Sequence, residues 1–263
     1  MVDMSILITN DDGIFAPGII ALATELAKME DVQVIAPERS RSAIGHAITL
    51  HKPLRMDKHY HSSYVIPAYA TNGTPADAVM LGYYELFENN LDLVISGIND
   101  GPNLGEDVTY SGTVSAAMEA SIIGVPSIAV SMGESTRENF EPAAKFIACL
   151  AKFMLETDIP KSTLLNVNYP NLPMDKIKGV RITKLGHRWY TDVVSKRTDP
   201  RGSDYYWICG EKQYSENEVG TDCRAIEDGE ISITPLTMDL TDMAAMKNWS
   251  DWGDKLSKDC GIA

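Results

Sequence analysis

The chain has 263 residues, enough for one large α/β domain around a single core. Hydrophobic residues make up 44% and charged residues 23%, an ordinary globular composition that excludes a disordered chain. Lys and Arg number 23 against 37 Asp and Glu, a formal net charge of −14, so the average surface repels duplex nucleic acid and anionic membranes.

The first half alternates strand-like and helix-like segments. Ile6–Ile8 reads as a buried strand, and Pro17-Gly18 opens a helix through Ile19, Ile20, Leu22, Ala23 and Leu26 at helical spacing. Val32–Ala36 is the next strand, stopped by Pro37. Asn72-Gly73-Thr74-Pro75 is a loop leading into a helix over Ala76–Leu86. Leu91–Ile95 is a strand, Thr113–Ile123 a helix, Val125–Val130 a strand, Glu141–Glu156 an amphipathic helix and Leu164–Asn168 a strand. This alternation predicts an α/β fold, Rossmann-like, with a mostly parallel sheet flanked by helices on both faces.

From Gly179 onward the pattern becomes β-rich. Short strands are expected at Val180–Lys184, Tyr205–Ile208 and Ile231–Thr234, and Asp222–Gly229 reads as a polar loop. Met243–Lys258 reads as a terminal helix that places Trp249 and Trp252 on one face. The expected plan is one domain over 1–263, with core sheet and site in 1–178 and a β-rich C-terminal extension in 179–263.

Cys149, Cys209, Cys223 and Cys260 form no CxxC pair, which argues against structural zinc or a disulfide framework and fits free thiols in a reducing cytoplasm. The N-terminus has no basic region followed by a long apolar segment, so no signal peptide is expected. No apolar run approaches about 18 residues, so no membrane span is expected.

The chemistry is concentrated in four polar loops. Asp11-Asp12-Gly13 follows the first strand, where two adjacent carboxylates repel each other and a cation would relieve them. On local sequence alone the same residues fit a solvated turn equally well. Ser42 closes the loop after Val32–Ala36, and Asn99 lies in the loop after Leu91–Ile95. Loops after parallel strands share one edge of the sheet, so Asp11, Asp12, Ser42 and Asn99 are expected to converge. Their carboxylate, hydroxyl and amide oxygens are hard donors, suited to Mg²⁺, Mn²⁺ or Ca²⁺ rather than zinc.

Ser111-Gly112-Thr113 opens a helix, whose N–H groups and dipole favour a phosphate, although plain N-capping fits the same residues. Asn103 joins them as a candidate phosphate-binding residue. Arg39 and Arg41 are weaker candidates for neutralising a phosphate, and His46 for moving protons. Glu106-Asp107 fits a second acidic site, but a solvated turn is the better reading. No GxGxxG, P-loop or GxSxG motif is present, and Asp11-Asp12 is not the D-x-D of aspartyl-phosphate enzymes.

Taken together, these stretches resemble the survival protein E (SurE) family of metal-dependent nucleotidases. The matching segments are Ile8–Gly13, Ala16–Gly18, Ala36–Ser42, Asn72–Asp77, Ser96–Asn99, Gly101–Gly105 and Tyr110–Thr113, then Asp199–Gly202, Tyr205–Ile208, Gly220–Asp222 and Ser232–Pro235. They run in the family's order over nearly the whole chain. The resemblance implies hydrolysis of nucleoside 5′- or 3′-monophosphates with one divalent cation per subunit, Mg²⁺ or Mn²⁺, with Ca²⁺ as a stand-in in crystals. It implies Asp11, Asp12, Ser42 and Asn99 as ligands, and dimers or tetramers formed by exchanging C-terminal segments. Beside it stands the expectation that one of the two aspartates, freed from tight coordination, acts as base toward the attacking water. Two places depart from the family pattern: Ile14-Phe15, where a His is common, and Thr198, where a basic residue or His is usual. Two other readings compete with the resemblance: a nucleotide-sensing protein without useful catalysis, and a sugar-nucleotide transferase, for which no donor-binding loop is found.

Overall fold

The computed structural model describes residues 4–29, 31–59, 63–133, 140–191, 194–208, 211–214 and 218–262. Thirteen strands occur among them. They are β1 (Ile6–Thr9), β2 (Val32–Pro37), β3 (Met56–Lys58), β4 (Ala68–Thr71), β5 (Leu93–Asn99), β6 (Ser127–Met132) and β7 (Leu164–Tyr169), followed by β8 (Val180–Ile182), β9 (Arg188–Thr191), β10 (Val194–Thr198), β11 (Asp204–Ile208), β12 (Glu211–Tyr214) and β13 (Ile231–Leu236). Nine of them form one sheet in the order β3-β4-β2-β1-β5-β6-β7-β13-β8. The six strands from β4 to β7 are parallel, while β3 and β13 join antiparallel to β4 and β7.

The helices are α1 (Pro17–Leu26), α2 (Pro75–Leu81), α3 (Gly112–Ile122), α4 (Phe140–Glu156), α5 (Asp222–Glu227), α6 (Met243–Asn248) and α7 (Trp252–Asp259). Strands buried on both faces need apolar cover on both sides. The pair α1 and α4 covers one face, over Ile6, Ile8, Val34 and Ile95. The pair α2 and α3 covers the other, over Leu7, Ile35 and Val94. Chain order reverses at β1: β2 lies on one side and β5 on the other. Such a switch point leaves a crevice at the carboxyl ends of the strands, where ligands collect in open α/β sheets.

The α/β expectation holds, with differences of detail. Strands β3 and β4 are too short and mixed to be read from the sequence. The helix expected to reach Leu86 is α-helical only to Leu81 and continues as a π turn over Gly82–Leu86. Asp222–Gly229 is not a loop: Thr221 caps the Arg224 N–H, and α5 follows. The terminal helix is broken into α6 and α7 around Trp249–Asp251, where Trp249 and Trp252 stack with ring centroids 5.0 Å apart. The C-terminal extension supplies the separate β10–β11 hairpin and also sends β8 and β13 into the central sheet.

Candidate metal and phosphate site

Three adjacent strands deliver the cleft. β1 ends at Thr9 and runs into Asn10, whose buried side chain receives the Gly13 N–H at 3.1 Å and donates to the Gly13 carbonyl at 3.0 Å. That closed turn fixes Asp11 and Asp12 just beyond the sheet edge. The loop after β2 is tied to the same turn by the Arg41 N–H, which donates to the Asp11 carbonyl at 2.7 Å and sets Ser42 beside the cleft. β5 continues past Ile95 as far as Asn99, with a register shift against β6 between Ser96 and Asn99. Gly97 lies in that shift at φ +140°, and a Cβ there would meet the Val130 carbonyl oxygen at 2.3 Å.

Asp11, Asp12, Ser42, Asn99, Asn103 and Ser111 line one cleft of about 270 Å³. Ala43, Asp100, Asp107 and Tyr110 complete its wall. Gly112 and Thr113 are not among the lining residues. Both face Asp11 instead: the Thr113 hydroxyl donates to Asp11 Oδ1 at 2.5 Å, and the Gly112 and Thr113 N–H groups also reach the carboxylate. The start of α3 therefore holds a carboxylate of the protein itself.

The two aspartates are held differently. Asp11 is buried, and burial pushes its carboxyl up from the ordinary range against the pull of those hydrogen bonds. Asp12 is half-buried and accepts only the Asp100 N–H among the described residues, at 3.3 Å. Burial first, then the charges of Asp11 and Asp100, push its carboxyl up to about 6. Every charge acting on Asp12 is itself a carboxylate, which is the electrostatic setting of a cation site.

The donor set fits a hard divalent cation. Asn99 Nδ2 donates to the Gly101 carbonyl at 2.7 Å, leaving Oδ1 as an oxygen donor. Ser42 Oγ lies 2.9 Å from Ser40 Oγ. Among the described residues no cluster of three His, Cys, Asp or Glu groups offers an alternative metal site. Two carboxylates, the Ser42 hydroxyl and the Asn99 amide oxygen are the hard oxygen donors that the cleft lining brings together.

Asn103 is built in from behind. Asn166 and Asn168 on β7 donate to its carbonyl at 2.9 and 3.0 Å, Asn168 Oδ1 receives its N–H at 2.9 Å, and its Nδ2 donates to Ser131 Oγ at 2.7 Å. Sequence reading missed these supports, although polar Asn at alternate positions of a buried strand is a visible anomaly. It also missed Asp100 and Tyr110. The weaker candidates do not line the cleft. Arg39 is exposed beside Glu38, Arg41 Nη2 donates to the Asn72 carbonyl at 3.1 Å, and His46 pairs with Glu119 at 2.8 Å. Glu106-Asp107 is more than a solvated turn: Glu106 receives the Arg188 N–H at 2.8 Å, and Asp107 pairs with the buried Arg188 guanidinium.

The family model described as Survival protein SurE matches residues 6–192. The chain belongs to the SurE family. Among its relatives, the 5′-nucleotidase SurE of Geobacter metallireducens is 48% identical over 252 residues, covering 95% of this chain and 97% of that protein. The 5′-nucleotidase SurE of Moorella thermoacetica is 51% identical over 238 residues, 90% of this chain and 92% of that protein. The crystal structure of the SurE protein from Aquifex aeolicus superimposes with a TM-score of 0.81 at 45% identity, covering 95% of this chain and 99% of that one. A SurE fold thus frames the cleft at the β2-β1-β5 edge. No described helix is long and apolar enough to cross a membrane.

Proposed function

We propose that this chain is a divalent-cation-dependent phosphomonoesterase that hydrolyses nucleoside 5′-monophosphates, and 3′-monophosphates as well, to nucleoside and phosphate. The observation that carries the reading is the convergence of Asp11, Asp12, Ser42 and Asn99 from three adjacent strands into one cleft. The relatives named 5′-nucleotidase SurE support the class of ester. A phosphate entering beside Asp11, Asp12 and Asp100 meets carboxylates that no basic side chain of the cleft lining offsets, so an anionic substrate needs a cation between it and the protein.

Asp11, Asp12, Ser42 and Asn99 would hold one Mg²⁺ or Mn²⁺ per subunit. When bound, such a cation neutralises charge on the phosphoryl oxygens and makes water a better nucleophile at neutral pH. Asp11 is locked by Thr113 and the start of α3, so its task is to hold. Asp12, with a single long hydrogen bond, is the carboxylate that takes the proton of the attacking water. The water oxygen bonds to phosphorus, the ester P–O bond breaks, and the leaving nucleoside oxygen takes up the proton that Asp12 accepted, directly or through solvent. Asn103 and Ser111, held rigid by β7 and by the α3 cap, face the phosphate oxygens.

Further parts of the reading concern the whole molecule. Exposed Trp207 and Ile208 on β11, and Trp249, Trp252 and Leu256 near the C-terminus, are suited to self-association as a homodimer or homotetramer. The free Cys149, Cys223 and Cys260 fit a reducing cytoplasm.

The test is phosphate release from 5′-AMP and 3′-AMP. Activity is expected with Mn²⁺ or Mg²⁺, abolished by EDTA and restored by excess cation. Turnover that survives chelation, or no release from either nucleotide with any divalent cation, refutes the reading.

A further inference from the structure

We propose that Tyr110 is the nucleobase platform of the cleft, a role that rests on the nucleotidase reading above. Tyr110 is the one aromatic residue lining the cleft among the described residues, and it is 68% exposed. Its exposure does not come from a loose backbone. The Tyr110 N–H donates to the Asp107 carbonyl at 3.0 Å, and its carbonyl receives the Gly45 N–H at 3.0 Å. The next residue, Ser111, is the N-cap of α3. A large ring is thus presented to solvent from a fixed point on the rim.

The dimensions of the cleft place the base there. Its volume of about 270 Å³ falls below the range of about 300–1,000 Å³ typical of pockets that enclose a small molecule. Phosphate and cation belong at the Asp11–Asp12 end, where the oxygen donors meet. What remains holds a sugar, and the base must lie at or beyond the rim. The rim offers Ala43 and the carboxylates of Asp100 and Asp107, none of which gives an apolar plane wide enough for a purine or pyrimidine. The Tyr110 ring does.

Stacking also carries an expectation for the choice of base. Every base has a π face, so an aromatic platform binds all four with little discrimination, typically gaining roughly five- to hundredfold in affinity. The ring acts on binding and leaves the reacting atoms untouched, so its loss belongs in KM rather than kcat.

The experiment compares 5′-AMP with ribose 5-phosphate, which has the same ester and no base, using parental protein, Tyr110→Ala and Tyr110→Phe with Mn²⁺. Tyr110→Ala is expected to raise KM for AMP about tenfold with kcat within about twofold. It should leave kcat/KM for ribose 5-phosphate within about twofold, and Tyr110→Phe should match the parental protein on both. An unchanged KM for AMP overturns the proposal, as do equal losses on the two substrates. A change in oligomeric mass with KM for AMP unaltered also overturns it, because the ring is then a subunit contact. If the parental protein hydrolyses neither ester, the nucleotidase reading fails separately. AMP affinity by calorimetry then decides the platform: weaker binding by Tyr110→Ala upholds it, and equal binding or no binding by the parental protein overturns it.

Discussion

Thr113 holds Asp11 across 102 residues of sequence: its hydroxyl donates to Asp11 Oδ1 at 2.5 Å, and both residues are buried. A buried carboxylate is tolerable only with donors around it, and α3 provides them. Replacing Thr113 by Val keeps the shape and removes the donor. Thr113→Val is expected to lose about 1–3 kcal/mol of stability, by denaturant titration, and most of its phosphatase activity. Thr113→Ser, which restores the hydroxyl, should recover the greater part of both. A fully active Thr113→Val protein contradicts the positioning role.

Gly112 makes a second, steric demand on the same carboxylate. A Cβ at this position would lie 2.7 Å from Asp11 Cβ and 2.8 Å from Asp11 Oδ2. Either α3 or Asp11 must move to admit it. Overpacking of this kind typically costs about 1–3 kcal/mol. Gly112→Ala is therefore expected to stay folded at room temperature, with a lowered melting midpoint, and to lose activity at least as severely as Thr113→Val. Parental kcat with Mn²⁺ would show that Asp11 need not sit where the glycine lets it.

The contrast between these two residues and Asp12 shows what could be read in advance. Asp11-Asp12 stood out because an apolar run, Ile6–Ile8, ends in two charges, a local pattern that strand burial makes legible. Ser42 and Asn99 followed from the rule that loops after parallel strands share an edge. The destination of Thr113 was hidden, since a helix-opening Thr looks the same whether it faces a phosphate or a carboxylate from a distant loop. Asn99 reads as a loop residue in the sequence because the apolar run Leu91–Ile95 stops short of it. The contact with β6 carries the strand onward to Asn99. Helix α5 escaped notice for a similar reason. Asp222 is buried because it collects the N–H groups of Gly105 and Gly186 at 2.9 and 2.7 Å, and no local periodicity encodes that.

Cys223 should behave unlike the exposed cysteines. Burial first, then the neighbouring Asp222 charge, push its thiol up to about 12. At pH 8 a thiol of that pKa is thiolate in only about one part in ten thousand. Brief alkylation of the native protein, mapped by mass spectrometry, is expected to modify Cys149 and Cys260 and spare Cys223 until the protein is unfolded. The raised value also means that the native state holds this proton more tightly than the unfolded chain. Its contribution to stability is present below about pH 9 and is lost as pH climbs toward 12. Native labelling of Cys223 at the rate of Cys149 counts against this environment.

Asp12 gives the most direct reading of the cation site. Its carboxyl, pushed up to about 6 from 3.8, binds a proton more tightly in the native state than in the unfolded chain. The resulting stability is present below about pH 4 and disappears as pH rises through about 6. In EDTA, the parental protein should therefore lose stability relative to Asp12→Asn across that interval, and the variant should melt higher at pH 7.5. Mn²⁺ should reverse the ranking. A ligand at a hundred times its Kd adds about 2.7 kcal/mol to the state that binds it. For a chain of this size that raises the melting midpoint by roughly 5–10 °C. Asp12→Asn, with half of the carboxylate pair gone, should gain less than about 2 °C and should hydrolyse 5′-AMP at least about a hundredfold more slowly. A Mn²⁺-induced rise equal to that of the parental protein removes Asp12 from the ligand set, and parental turnover removes it from the chemistry.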